Sequence, residues 1–126
     1  MEKGKVFAQH EENVEFLKKL DFYAEEISIH QGRLDEVASK NSAADCLTMV
    51  ERFQNQLIIQ KNNIDEIRHE VKQDENRLEK EITENPVAVD HRSVPYHEAE
   101  KDKVDSFEKN FNDLRAEMKE FFAKWM

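Results

Sequence analysis

Along three stretches of this chain the apolar residues return at steps of three and four, and almost nothing interrupts them. Residues three and four apart share one face of an α-helix, whereas a half-buried strand hides every second residue. The 126 residues include only two glycines and two prolines, and no strand-length run alternates with period two. The expected fold is therefore all-α. Each amphipathic stripe needs a partner to leave water, and short connections favour antiparallel neighbours. The expected architecture is a single domain over residues 1–126, an antiparallel up-down-up three-helix bundle with long coiled-coil-like helices.

Helix one is expected over about residues 5–38. Its inward line is His10, Asn13, Leu17, Leu20, Ala24, Ile27, Gln31, Leu34 and Ala38, flanked by Phe16, Tyr23, His30 and Val37. Gly32 costs about 1 kcal/mol against alanine in a helix interior. Strong helix formers surround it, so the helix is read as whole, with a local bend as the alternative. Asn41 or Ser42 is the expected cap of helix two, which covers about residues 43–83. Its seam is Cys46, Val50, Phe53, Leu57, Gln60, Ile64, Ile67, Val71, Asp74, Leu78 and Ile82. Lys61-Asn62-Asn63 is its weakest stretch but holds no breaker. Asn85-Pro86 ends the helix, because proline turns the preceding residue away from helical geometry. A linker over residues 85–94 follows, with Val87 and Val89 expected to pack over the bundle end. Pro95 suits the first turn of helix three, whose amides need no partner, so that helix is expected over about residues 95–124. Its seam is His97, Glu100, Val104, Phe107, Phe111, Leu114, Met118, Phe121 and Trp125, widened by Phe122.

Counting residues back from the turns sets a register. His10 and Asp74 fall nearly level, with Asp105 to Glu108 beside them on helix three. At the other end Trp125 falls level with Ile27. The hairpin tip beyond that level would be two helices thick, leaving His30, Leu34, Val37, Cys46, Leu47, Met49 and Val50 short of cover. Phe22 and Ile29 lie seven apart on the outer face of helix one, and Ile58 and Ile59 lie off the stripe of helix two. An apolar surplus of this kind marks an interaction surface. The expected interface set is Phe22, Ile29, His30, Val37, Leu47, Met49, Ile58, Phe122 and Trp125.

Acidic residues outnumber basic ones 28 to 19, for a net charge of -9. That balance is unfavourable to a phosphate backbone and to an anionic membrane, so neither nucleic acid nor membrane is an expected partner. One cysteine excludes an intramolecular disulfide framework and a CxxC pair. Residues Met1 to Glu12 contain no apolar stretch of the signal-peptide kind, and no run approaches membrane-span length, so a cytoplasmic location is expected.

Chemical motifs are sparse. Glu66-Ile67-Arg68-His69 is a single Glu-x-x-His, whereas a di-iron bundle uses two, and the seam residues Ile64, Ile67 and Val71 claim the inward face. His91 and His97 are six apart, which is not a zinc spacing. Cys46 reads as a buried thiol; nucleophilic chemistry would need a base beside it, for which His30 is the nearest candidate. The richest grouping is His10, Glu70 and Asp74, where imidazole and carboxylates can bind zinc or a harder ion, or form an ion pair that fixes register. The leading expectation is a non-enzymatic structural or adaptor-like bundle acting through protein–protein contacts, most simply as a homodimer, with no cofactor. The alternative is a metal-binding bundle using the His/carboxylate cluster between helices one and two.

Overall fold

The computed structural model describes the backbone of residues 2–84 and 89–126 and the side chains of residues 7–80, 83 and 97–126. The described residues form three helices: α1 (Glu2–Lys40), α2 (Ala44–Glu84) and α3 (Val89–Trp125). Each packs against both others, and the described residues contain no strand. The all-α three-helix bundle expected from the periodicity is what forms.

Its core follows the stepping rule closely. On α2 the buried positions run Cys46, Val50, Phe53, Leu57, Ile64, Ile67, Val71, Asp74 and Leu78, with Gln60 half-buried. On α3 they run His97, Glu100, Val104, Phe107, Phe111, Leu114, Met118 and Phe121. The α1 stripe is turned by one position from the expected one. Gln9, Asn13, Phe16, Leu20, Tyr23, Ile27, His30, Leu34 and Val37 are buried, while His10 is exposed and Leu17, Ala24, Gln31 and Ala38 are half-buried. The cause is α3, which seats against the side of α1 that carries Phe16, Tyr23, His30 and Val37. Tyr23 meets both Phe107 and Phe111 edge-on, and His30 stacks on Phe122.

Polar contacts record the register. Asn13 meets Asp74, Asp21 meets Arg68 and Asp35 meets Gln54, so α1 and α2 run antiparallel. Glu12 meets His97, Tyr23 meets Glu108 and Glu26 meets Arg115, so α1 and α3 run parallel.

The expected thin tip is absent. α3 begins at Val89, six residues before Pro95, and its 37 residues nearly match the 39 of α1 and the 41 of α2. Pro95 has no N–H to donate, which removes one bond from the helical ladder without ending it. The longer helix reaches the α1–α2 turn, where the Asn41 side chain donates to the carbonyls of Val37 and Trp125. Asn41 thus closes the end of α1 and does not serve as the expected cap of α2. The first helical bond of α2 runs from Leu47 N–H to Ala43. His30, Leu34, Val37, Cys46 and Val50 are all buried beneath α3. The linker expected over residues 85–94 is shorter, since residues 89–94 are helical. Packing of Val87 and Val89 over the bundle end, and the inward position of Ile82, lie outside the described residues.

α2 is continuous through Lys61-Asn62-Asn63, anchored by fully buried Leu57 on one side and Ile64 on the other. α1 is continuous through Gly32, and a Cβ built there meets nothing within 4 Å. Gly32→Ala is therefore expected to stabilise the protein by about 0.5–1 kcal/mol, through lower unfolded-chain entropy and better helix propensity. Urea unfolding checks this, and an unchanged or lowered midpoint would contradict it.

Candidate functional site

The densest set of buried polar groups lies at the end of the bundle away from the α1–α2 turn. Three seams supply it, because at this level each carries polar residues where an apolar one is the norm. α1 contributes Gln9 and Asn13, α2 contributes Asp74, and α3 contributes His97 and Glu100, all buried. Phe16 stacks on the His97 ring at 5.9 Å and floors the cluster.

Its bonds are directional. Asn13 Nδ2 donates to Asp74 Oδ2 at 3.1 Å and to Glu75 Oε1 at 2.9 Å. Arg77, one turn along α2, pairs with Asp74 Oδ1. His97 Nε2 lies 3.0 Å from Glu12 Oε1, and its Nδ1 faces Asp74 Oδ2 at 3.7 Å and Glu100 Oε2 at 3.8 Å. Among the described residues, four buried polar atoms near this level lack a hydrogen-bond partner: Gln9 Oε1, Asn13 Oδ1, His97 Nδ1 and Glu100 Oε2.

Protonation follows from this arrangement. Burial, reinforced by the neighbouring Asp74 charge, pushes the Glu100 carboxyl up to about 8. The Asp74 carboxylate facing its Nδ1 raises His97 above the usual imidazole range, with Glu12 adding to it and burial opposing. Burial works to raise Asp74 too, but the facing His97 ring and the hydrogen bond from Asn13, with Arg77 beside them, hold it below the usual carboxylate range. Two carboxylates at similar depth are thus driven in opposite directions by the donors around them.

Of the expected metal set, only Asp74 stands in this cluster. His10 is exposed and pairs with Glu75 at 2.7 Å, while Glu70 turns to Lys103 at 2.7 Å. The structure therefore does not bring His10, Glu70 and Asp74 together, and the cluster joins α2 to α3 where the expected one joined helices one and two. The reason is the register of α3. Its early start places His97 at the level assigned to Asp105–Glu108, a slip of roughly two to three turns, or about 12–16 Å. His97 and Glu100 were visible as polar interruptions of an apolar seam, and that was the signal available. Glu66 and His69 are both exposed. The side chain of His91 lies outside the described residues.

A second polar strap ties α1 to α3 near mid-bundle. Arg115 Nη2 donates to Glu26 Oε1 at 2.6 Å and its guanidinium lies over the rings of Tyr23 and Phe111. Burial works to raise the Glu26 carboxyl, but Arg115 and His30 outweigh it and hold it low. Burial and the hydrogen bond to Glu108 push the Tyr23 hydroxyl up to about 12. His30 is engaged by Glu26 at 3.1 Å and by Phe122. The antiparallel register places Cys46 roughly three turns from the level of His30. Burial pushes the Cys46 thiol up, away from the thiolate that a nucleophile needs.

The expected interface residues divide three ways. Phe22, Ile29, Ile58 and Leu47 are exposed. Met49, Phe122 and Trp125 are half-buried against the core, and His30 and Val37 are inside it. Phe7, Ile59 and Met126 are further exposed apolar side chains. Among the described residues no helix is long and apolar enough to cross a membrane. Comparison with protein-family models, with curated proteins and with solved structures gives no match for this chain.

Proposed function

We propose that this bundle acts by protein–protein contact, and that its simplest partner is a second copy of itself joined through the outer face of α1. The observation that carries the reading is the pair Phe22 and Ile29, 61% and 54% exposed and two helical turns apart on one face. Large apolar side chains set together on a charged surface favour a partner that removes them from water, at about 25 cal/mol per Å² buried. The pair is self-complementary. A twofold axis passing between the two residues, with the α1 helices antiparallel, sets each Phe22 against the partner's Ile29. Twofold homodimers are the commonest closed assemblies and use such isologous patches. Lys18, Glu25 and Arg33 on the same side of α1 provide a mixed-charge rim. A single buried thiol is compatible with the cytoplasmic setting expected for such a contact module.

Light scattering on a sizing column over a dilution series tests this. The wild-type mass should rise toward that of a dimer with concentration. Phe22→Glu combined with Ile29→Glu should remain monomeric with an unchanged helical spectrum, its dimer affinity lowered by about tenfold or more. A wild type that stays monomeric at every concentration sinks the proposal, as does a double variant that still dimerises.

A further inference from the structure

We propose that the end of the bundle remote from the α1–α2 turn binds one divalent transition-metal ion of the zinc type through Asp74 on α2 and His97 and Glu100 on α3. This site is independent of the α1 outer face.

One ligand atom from each of the three residues lies within 4.8 Å of the others, and all three residues are buried. Tetrahedral zinc, with bonds of about 2.0–2.1 Å, holds its ligands roughly 3.4 Å apart. His97 Nδ1 stands 3.7 Å from Asp74 Oδ2 and 3.8 Å from Glu100 Oε2, so closure around an ion needs only small side-chain shifts.

Two further observations point to an ion and not merely to a cluster of charges. The first is the orientation of the imidazole. Glu12 Oε1 holds His97 Nε2 at 3.0 Å, which turns the other ring nitrogen, Nδ1, toward the two carboxylates. A carboxylate behind the ring and a ligand atom in front is how metal-binding histidines are held. The second is the surplus of acceptors. His97 Nδ1 and Glu100 Oε2 are buried without partners, and Asn13 Oδ1 beside Asp74 is a third. Buried acceptors call for donors or a cation, and an ion at the centre of the three ligands serves both Nδ1 and Oε2.

The remaining contacts accommodate it. Arg77 keeps Asp74 Oδ1 while the ion takes Oδ2, and Asn13 Nδ2 retains Glu75. Metal ligands bind deprotonated, so the Glu100 proton leaves as the ion enters, and two carboxylates then balance the double charge. Three protein ligands leave a fourth position for water. One nitrogen and two oxygens in a compact site suit zinc, whereas calcium asks for six to eight oxygens. A groove bordered by Gln73, Arg77, Ala99 and Lys103 opens beside Asp74 and Glu100 and gives the ion a way in. The ion would bridge α2 and α3 across the connection at residues 85–88.

The test is calorimetric titration of chelator-stripped full-length protein with zinc chloride, repeated with cobalt(II) for its visible ligand-field bands. The expected result is one ion per chain with a tetrahedral cobalt spectrum. Glu12→Gln should weaken zinc binding by about 10–100-fold, as loss of the group behind a ligating histidine does. His97→Ala and, separately, the near-isosteric Glu100→Gln should weaken it by more than Glu12→Gln. Exposed His69→Ala should leave it unchanged. If His97→Ala fails to fold, Glu100→Gln and Glu12→Gln carry the test. Absence of stoichiometric binding overturns the proposal. So does binding that survives Glu100→Gln and Glu12→Gln, or that disappears in His10→Ala, which would place the ion at the exposed His10–Glu75 pair.

Discussion

Raising the pH of the chelator-treated protein from about 5 to about 8 is expected to destabilise it, and Glu100→Gln is expected to remove most of that loss. The Glu100 carboxyl, ordinarily near 4.5, is pushed up to about 8 by burial and by the Asp74 charge. Over that window the folded chain holds a proton that the unfolded chain has released, so stability falls as pH rises. Each pKa unit corresponds to about 1.4 kcal/mol, which makes the fall on the order of 3–5 kcal/mol. His97 acts in the same direction. Its pKa is raised, so its contribution is complete below the ordinary imidazole value and is lost as pH climbs through the raised one. Asp74 acts oppositely but elsewhere, since its lowered pKa confines its loss to strongly acidic solution. Glu100→Gln presents a neutral side chain of similar shape at every pH. The variant should match wild type near pH 5 and exceed it near pH 8. Urea unfolding at both values gives the answer, and a variant less stable than wild type at the higher pH would contradict the assignment.

The second large effect is expected from Phe111→Ala, which should cost about 3–5 kcal/mol. Phe111 is fully buried, lies edge-on to Tyr23 at 5.0 Å and stacks on Phe107 at 5.8 Å. Truncation empties the point where α1 and α3 meet and removes the ring beneath Arg115. Neighbours on three long helices cannot close the gap without moving a helix, so the cavity persists. Phe22→Ala, of the same chemistry but exposed, should change monomer stability by less than about 1 kcal/mol. Comparable losses in the two variants would mean that the core is misplaced.

The periodicity was sufficient for the helices and for their buried lines on α2 and α3, because a step of three and four leaves only one face to hide. Two places resisted reading. On α1 two candidate lines were present, one through Leu17, Ala24 and Gln31 and the other through Phe16, Tyr23 and His30. Which of them faces the core depends on the side that α3 takes, and the helix pattern does not carry that information. At the start of α3, Pro95 resembles a first-turn residue, yet the helix extends back to Val89. That difference slides α3 along its neighbours. It covers the hairpin tip with Phe121, Phe122 and Trp125, and it brings His97 and Glu100 to Asp74. Polar residues in an apolar seam announced that something was paired inside, but the identity of the pairs depended on register. The bonds that give the cluster its character, such as Glu12 behind His97, involve residues outside the seams and carried no periodic signal.

Everything proposed for this end of the bundle rests on His97 lying between Phe16 and Asp74. The most direct test is a nuclear Overhauser measurement on the metal-free protein with labelled aromatic side chains. The stacked rings, with centroids 5.9 Å apart, predict cross-peaks between His97 and Phe16. Cross-peaks between Phe16 and Phe107 in their place would move α3 by nearly three turns and separate His97 and Glu100 from Asp74.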